Sequence, residues 1–317
     1  MIWTRIDGRL TLVAFASWGG IPVRMAGSDL EHLQVTGELV LAPHPGDGIW
    51  FESVIADQAD SVWYAYYHHE QPANACGRAD RSIPRIGAAR STDRGTTWTN
   101  LGIVLEAPPG TEFCGSSNRF VFGGVGDVSA TVDRDWKDVY LYYTSYERDP
   151  RTQGVAVARL PWAARDDPGG RAAIWQDGVW LPAVRRPPAP GEAEGRWEYP
   201  AGTPLVTTTS PWHDGNQAAN AFWGPSIHWN TSVGRYIMLL NRARDEAFDN
   251  EGIYVSFAAS LDDPRAWSAP RKILNGGGWY PQVAGEEPGT GTDKQMGRIG
   301  RFFLTGRSMH YIEFSGP

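Results

Sequence analysis

Three acidic residues lie at the ends of apolar, strand-like segments, where their carboxyl groups could transfer protons. Glu52 and Asp127 each lie near the start of such a segment, and Glu70 ends one. Cleavage of a glycosidic bond uses such a set, because one carboxyl group protonates the leaving oxygen while another activates water or attacks the sugar. Like charges in a half-buried pocket raise the pKa of one carboxyl group, which suits the proton donor. We therefore predict Glu52, Asp127 and Glu70 as catalytic residues.

Glu52 and Asp127 also have structural interpretations. Glu52 could pair with a buried arginine or accept hydrogen bonds from strand amides, because structural networks perturb acids too. Asp127 follows a glycine-rich stretch, 123–126, and could stabilise a tight turn. The catalytic interpretation of Asp127 is favoured because an aspartate that starts an inner strand faces the central axis of the fold predicted below.

Aromatic and polar residues near the same strand ends are predicted to bind a sugar. Sugar faces present C–H groups that pack on aromatic rings, although tryptophan also packs between sheets. The residues predicted to bind substrate are Trp50, His68, His69, Trp223, His228, Trp279, Tyr280 and Gln282.

The run His68-His69-Glu70 has the residue types of a metal site. Successive residues of a regular strand point to opposite faces, so His68 and His69 do not both face one site. Calcium takes six to eight oxygen ligands, and no such set is visible in the sequence. We predict no required metal or other cofactor, with an axial calcium ion as the alternative.

The elements that must position these residues repeat along the chain. Alternating, β-branched and aromatic segments form five units, each with up to four strands. This pattern predicts an all-β fold, a five-bladed β-propeller with four-stranded antiparallel blades in a single domain, 1–317. Its units comprise the segments 10–43, 50–106, 126–184, 222–274 and 279–314.

The fifth unit is one strand short. We predict that the segment 2–6 supplies the missing strand and closes the ring, which would remove an exposed sheet edge. Two long connections, 107–126 and 182–221, separate the middle units, and connections of this length are often functional.

One motif is specific for a turn. The segment 91–98, Ser-Thr-Asp-Arg-Gly-Thr-Thr-Trp, fits the Asp-box pattern S-x-D-x-G-x-T-W. Asp93 is predicted to accept hydrogen bonds from turn amides and Gly95 to take a positive φ. Weaker echoes occur at Ser28-Asp29-Leu30 and Ser260-Leu261-Asp262. The motif favours a propeller and carries no chemistry of its own.

These segments together resemble the five-bladed propeller glycosidases of glycoside hydrolase families 43 and 32. The resemblance implies three acids on the first strands of successive blades: a base or nucleophile, an orienting aspartate and a general acid. Glu52 matches the first place and Asp127 the second, but the third, often E-G-P in family 43, reads Trp223-Gly224-Pro225. Glu70 is the first replacement predicted for the missing general acid, followed by Glu198 and Asp214.

Three functions remain open on the sequence. The first is hydrolysis of a glycosidic bond, with a furanoside such as arabinan or fructan as the expected substrate. The second is a sugar-binding propeller without catalysis, suggested by Trp223. The third is a sialidase-like enzyme, suggested by the Asp box; it would need an arginine cluster, for which Arg24, Arg242 and Arg244 are the candidates.

The composition of the chain restricts the classes of partner that it is expected to bind. The net charge of −7 over 317 residues argues against nucleic acid, and no apolar stretch is long enough to span a membrane. The first residues lack a basic region followed by an apolar core, so no signal peptide is predicted there. Cys76 and Cys114 are predicted as free thiols, with a disulfide as the alternative. A monomer acting on carbohydrate is expected.

Overall fold

A computed structural model describes residues 1–46, 48–57, 61–188, 195–213 and 218–315, and strands dominate its secondary structure. Five main sheets, of four, five, five, five and three strands, form a five-bladed propeller, with a separate two-stranded sheet. The predicted all-β, five-bladed fold is confirmed. The helices among these residues are short 3-10 turns at Leu30–His32, Asn74–Cys76, Trp162–Ala164 and Pro264–Ala266. In the described ranges, no helix has the length and hydropathy of a membrane span.

The first two blades are built from the N-terminal nine strands. The strands of the first blade, in spatial order, are β1 (Ile2–Ile6), β2 (Arg9–Trp18), β3 (Ile21–Gly27) and β4 (Gln34–Glu38). Those of the second are β5 (Val40–Ala42), β6 (Ile49–Asp57), β7 (Val62–Pro72), β8 (Ser82–Ser91) and β9 (Thr97–Leu105), with β5 lying outside β9.

The third blade is followed by the small separate sheet. The third blade contains β10 (Val125–Val132), β11 (Asp138–Ser145), β12 (Gly154–Pro161), β13 (Ala173–Gln176) and β14 (Val179–Pro182). The small sheet pairs β15 (Val184–Arg185) with β16 (Trp197–Glu198).

The last two blades are built from the C-terminal strands β17 to β24. These strands are β17 (Phe222–Asn230), β18 (Arg235–Ala243), β19 (Asn250–Ala258), β20 (Arg271–Asn275), β21 (Gln282–Ala284), β22 (Gln295–Met296), β23 (Ile299–Leu304) and β24 (Arg307–Glu313). The fourth blade contains β17 to β20, with β22 parallel to β17, and the fifth contains β21, β23 and β24.

Three successive first strands, β6, β10 and β17, are irregular at the same place near their starts. The pairing register shifts between Phe51 and Ser53 in β6, between Gly126 and Ser129 in β10, and after Trp223 in β17. A β-bulge of this kind leaves residues unpaired and re-aims their side chains. The bulges of β6 and β10 contain Glu52 and Asp127, so they set the direction of both carboxyl groups.

Hydroxyl groups join each of the first three blades to the next beside these bulges. In each case, a backbone amide of one blade donates to a serine or threonine hydroxyl of the blade before it. These hydroxyl links are Phe51 N to Ser17 Oγ (3.0 Å), Ala130 N to Ser53 Oγ (2.9 Å), Gly224 N to Thr144 Oγ1 (3.0 Å) and Ile227 N to Ser129 Oγ (3.0 Å).

The N-terminal strand does not extend the fifth blade, so that part of the prediction is wrong. β1 pairs with β2 in register from Ile2 opposite Val13 to Ile6 opposite Arg9. The reason is the turn Asp7-Gly8, in which both residues have positive φ, at 50° and 79°. Two such residues form the tight turn that matches the twist of a hairpin. β1 still reaches the fifth blade, because the Trp3 indole donates to the Gly291 carbonyl at 2.7 Å.

The segment 37–43 was predicted to end the first unit, but it divides between two blades. β4 ends at Glu38 in the first blade, whereas β5 pairs in parallel with β9 of the second. The blades also depart from the predicted four strands each, because short strands are added to the second, third and fourth and the fifth has three.

The motif at 91–98 forms the turn between β8 and β9. Asp93 accepts hydrogen bonds from the amides of Thr96 (3.1 Å) and Thr97 (2.9 Å), and Gly95 has φ of 78°. The Trp98 indole donates to the Gly95 carbonyl at 3.1 Å. β6 enters this blade at the end that bears Glu52, so the β8–β9 turn lies at the opposite end of the blade.

Cys76 and Cys114 form a disulfide, which corrects the prediction of free thiols. The bond joins the short helix after β7 to the long connection before β10. Backbone pairing holds the two segments together, since the amide of Ser82 donates to the Phe120 carbonyl at 2.9 Å and the amide of Phe122 donates to the Ser82 carbonyl at 3.0 Å. This pairing of distant segments has no signature in the cysteine spacing.

Replacing both cysteines with serine is expected to lower the free energy of unfolding by about 3–4 kcal/mol, because the unfolded chain loses a closed loop. That loop spans 38 residues. Denaturant unfolding of the double variant measures the difference, with reduced wild-type protein as the control. Equal stability of oxidised and reduced wild-type protein would contradict the expectation.

Candidate active site

Glu52, His68 and Asp127 meet where the second blade contacts the third. One side-chain atom from each lies within 4.8 Å of the others. His68 Nδ1 lies 3.8 Å from Glu52 Oε1 and 3.6 Å from Asp127 Oδ1. The backbone amide of Asp127 donates to His68 Nδ1 at 3.0 Å, so that nitrogen is an acceptor and the ring proton resides on Nε2. The structure therefore brings together two predicted acids and one predicted histidine.

The backbone conformation at Gly126 and Asp127 allows Asp127 to approach His68 and Glu52. Asp127 has φ of 45°, in the left-handed region that aspartate and asparagine tolerate better than most residues. Gly126 lacks a side chain where one would collide, since a Cβ there would lie 2.5 Å from the His68 ring. The equivalent bulge of β17 places Gly224, with φ of 58°, where β10 has Asp127.

Asp127 is buried and accepts a hydrogen bond from a phenol. The Tyr146 hydroxyl donates to Asp127 Oδ2, and the Tyr280 phenol interacts electrostatically with the same carboxylate. Burial, with the charge of Asp127, raises the pKa of Tyr146 well above its ordinary value, so the phenol remains a donor. Tyr146 is itself held by His213, whose Nε2 contacts its carbonyl and whose Nδ1 lies 2.5 Å from Ser116 Oγ.

Glu52 is the acid whose protonation the site changes most. Burial raises its pKa from 4.5 to about 8; the charges of Asp127 and Glu70 act in the same direction, and the Val128 amide opposes them, as does His68 whenever its ring is protonated. That amide donates to Glu52 Oε2. The side chain retains 19% exposure against 4% for Asp127. Glu52 is therefore protonated at neutral pH and open to a ligand.

Glu70 lies on β7, the strand that also contains His68. It follows His68 by two residues in β7, so both side chains share a face and are separated by about 7 Å along the strand. The Glu70 amide donates to the Gly48 carbonyl at 2.9 Å, which fixes this end of the strand. The carboxylate acts electrostatically on Glu52 and on Tyr280. Glu70 thus belongs to the same site as Glu52.

The predicted aromatic residues divide between the surface of the site and the core. Tyr280 is 38% exposed, and Trp50 and Trp279 are half-buried. Trp223 is fully buried and packs edge-on against Trp279 and Tyr280. Contact between Trp223 and a sugar would need a change in this packing.

The remaining predicted ligand residues lie apart from the acids. His69 is buried on the other face of β7, where Arg85 Nε donates to its Nδ1 at 3.3 Å. His228 is fully buried against Phe314, so a sugar cannot reach it in this structure. Gln282 is exposed at the start of β21.

Glu198, a later candidate for the general acid, does not join the site. Glu198 forms an ion pair with Arg186 at 3.2 Å in the β15–β16 sheet, and Asp214 lies outside the described residues.

The three candidate arginines for a sialidase do not converge. Arg24 donates to Thr36 Oγ1 at 2.9 Å within the first blade. Arg242 and Arg244 lie in and just after β18 of the fourth blade and pair with Glu251 and Asp249. These three side chains therefore form no common carboxylate site.

The acid pair does not fit calcium. Glu52 Oε2 and Asp127 Oδ2 already accept hydrogen bonds from Val128 and Tyr146, and His68 Nδ1 accepts one from an amide. An oxygen that accepts one hydrogen bond keeps a second lone pair, so the two carboxylates offer at most four oxygen ligands; calcium takes six to eight, water included, and the pair alone does not complete that set. The axial calcium alternative thus lacks a ligand set in the described cluster, and whether the protein requires a metal stays a prediction.

Two residues near the acids had no motif to reveal them. Tyr146 closes the run 139–146, whose tyrosines suggest core packing, and only the fold shows that the last of them contacts Asp127. Lys294 lies in a polar stretch before β22, yet its Nζ donates to Ser53 Oγ at 3.0 Å, next to Glu52.

No protein-family model and no curated protein matches this chain. In structure, the chain is similar to an exo-1,5-α-L-arabinanase from a bovine ruminal metagenomic library, at 12% identity and a TM-score of 0.51, covering 96% of this chain and 87% of that one. It is also similar to an endo-arabinase from Bacteroides thetaiotaomicron, at 13% identity and a TM-score of 0.52, covering 96% and 87%. At these identities the likeness shows the fold, and the resemblance of fold inferred from the sequence is confirmed.

Proposed function

We propose that this protein is a glycoside hydrolase in which Glu52 is the proton donor. The observation that carries the proposal is two carboxyl groups with atoms within 4.8 Å of each other, of which Glu52 keeps 19% exposure and Asp127 only 4%; burial beside Asp127 also raises the pKa of Glu52. A protonated carboxyl group can give its proton to a leaving glycosidic oxygen. This role reverses the sequence-based order, in which Glu52 matched the base or nucleophile and Glu70 replaced the acid.

Asp127 acts on Glu52 in this proposal. Glu52 and Asp127 present atoms within 4.8 Å of each other. That is closer than the roughly 6.5–9.5 Å between carboxyl groups that leave room for a water molecule. The bond from Tyr146 holds Asp127 in place, and the charge of Asp127 discourages ionisation of Glu52.

Glu70 is the base in the proposed reaction. The support is that Glu70 lies on the same face of β7 as His68 and acts electrostatically on Glu52, so it is a second carboxylate of the site that is available to activate water. Glu52 protonates the glycosidic oxygen as the bond to the anomeric carbon breaks. Glu70 removes a proton from water, whose oxygen bonds to that carbon from the opposite face. The products are an alcohol and a sugar with inverted configuration.

Sugar contact is assigned to the exposed aromatic side chains. Tyr280 and Trp50 lie beside the acids in the structure, and Trp279 adjoins Tyr280. Furanoside polymers are the substrate class we propose first. The support is the fold shared with two proteins described as an arabinanase and an arabinase.

A screen of arabinan, fructan, galactan and aryl glycosides tests the function. We expect hydrolysis of at least one furanoside substrate, with proton NMR showing the inverted anomer first, and the same rate with and without a chelator. A retained anomer would overturn the role of Glu70. Loss of activity with chelator, restored by calcium, would overturn hydrolysis without metal.

Sugar binding without catalysis is the second candidate, favoured by one observation. The β17 bulge has Gly224 and Pro225 where β6 and β10 have acids, so the third acid implied by the resemblance is missing there. Binding of a polysaccharide in affinity electrophoresis without any hydrolysis in the screen would select this function and reject the first.

A further inference from the structure

Lys294 lies directly behind the acid-bearing bulge of the second blade. Its Nζ donates to Ser53 Oγ at 3.0 Å and lies 3.6 Å from Asp293 Oδ2. Ser53 follows Glu52 and is 2% exposed. The same hydroxyl accepts the Ala130 amide at 2.9 Å, so both acceptor positions of the Ser53 oxygen are used.

From these contacts we propose that Lys294 is a positioning residue for Glu52. Its ammonium group holds the β6 bulge through Ser53 and supplies, from within the chain, positive charge on the inner side of the acid pair. Its catalytic consequence rests on the proposed function, but the effect on Glu52 does not.

The charges around Lys294 are consistent with an ammonium group at this place. Burial lowers the pKa of Lys294, and the charges of Asp293 and Glu52 oppose this by favouring the ammonium form. Asp293 also pairs with the Met1 amino group. His228 contributes no charge, because burial and the nearby ammonium lower its pKa to about 3.

Charged and titratable groups from several other elements also surround Glu52. His68 and Glu70 face it from β7, Asp127 from β10, Tyr146 from the end of β11 and Tyr280 from the segment before β21. Lys294 reaches it from the segment before β22 and is the one lysine among them. A fixed ammonium group also disfavours a metal cation in the same place, which agrees with the poor fit to calcium.

Two substitutions separate the charge of Lys294 from its hydrogen bond. K294M removes both, whereas K294Q keeps a donor for Ser53. The ionisation of Glu52 is followed by carbon-13 NMR of labelled glutamate carboxyl groups, with the signal identified by its loss in E52Q. K272M is the matched control, because Lys272 pairs with Glu251 on the fourth blade.

Without the positive charge, ionised Glu52 is less stable, so its titration midpoint is expected to rise by about one pH unit in both variants. The kcat/KM of K294M is expected to fall at least tenfold, and that of K294Q less. Midpoints equal to wild type in folded K294M or K294Q would overturn the proposal, as would an equal shift in K272M. Inactive wild-type protein would overturn the proposed function alone.

Discussion

Replacing Glu52 with glutamine is expected to lower kcat about 10³-fold on a polysaccharide, because the leaving oxygen loses its proton donor. A dinitrophenyl glycoside has a leaving group that needs no proton, so its hydrolysis is expected to fall less than tenfold. Steady-state rates on the two substrates measure this contrast. An equal loss on both would contradict the role of Glu52 as acid.

The pH profile gives a second view of the same residue. Because the pKa of Glu52 is raised to about 8, the wild-type kcat/KM is expected to decline above about pH 8, as the donor loses its proton. D127N removes the charge of Asp127, and asparagine also tolerates the left-handed backbone there. Its alkaline limb is therefore expected at lower pH than in wild type. A flat wild-type profile from pH 6 to 10 would exclude Glu52 as the titrating group.

E52Q should also change stability in a pH-dependent way. The folded chain retains a proton on Glu52 that the unfolded chain loses between about pH 4.5 and 8. The wild-type free energy of unfolding should thus decline relative to E52Q by about 1.4 kcal/mol per pH unit across this range, which is on the order of 5 kcal/mol by pH 8. The two proteins should be alike near pH 4. Thermal unfolding at both pH values measures the difference.

Replacing Glu70 with glutamine is expected to lower kcat about 10³-fold on both the polysaccharide and the dinitrophenyl glycoside. Activation of water is needed whatever the leaving group, so the base is required for either substrate. The same pair of steady-state rates therefore separates the two glutamates.

E198Q is the control for E70Q, because Glu198 is a half-buried glutamate paired with Arg186 away from the acids. Its rates should match those of wild type. If E70Q kept full activity on the polysaccharide, the base would have to be sought elsewhere, and the inversion of configuration would lose its support.

The blades could be predicted because their signal is local. Apolar and aromatic runs such as 222–230 and 234–243 indicate strands buried on both faces, and the observed β17 and β18 lie there. The pairing of β1 with β2 also had a local sequence signal, since Asp7-Gly8 forms a hairpin turn. The missing strand of the fifth unit pointed instead to ring closure by the segment 2–6, and the local turn prevails in the structure.

Contacts between residues of different blades were harder to predict from the sequence. The bulges of β6 and β10 bring Glu52 and Asp127 together, so their proximity followed from the predicted topology. The assignment of acid and base did not, because it depends on burial and on the charges of neighbours. Tyr146 and Lys294 act across blades, and nothing in their own segments marks them. The disulfide was missed for the same reason.

The hydroxyl links have a consequence for blade exchange between propellers. Each link joins a hydroxyl of one blade to a backbone amide of the next, immediately beside the bulges that hold the acids. A grafted blade that lacked its serine would leave a buried amide of its neighbour unpaired, at a cost of about 1–3 kcal/mol. Chimeras of this protein should therefore be cut so that Ser17, Ser53 and Ser129 stay with their partner amides.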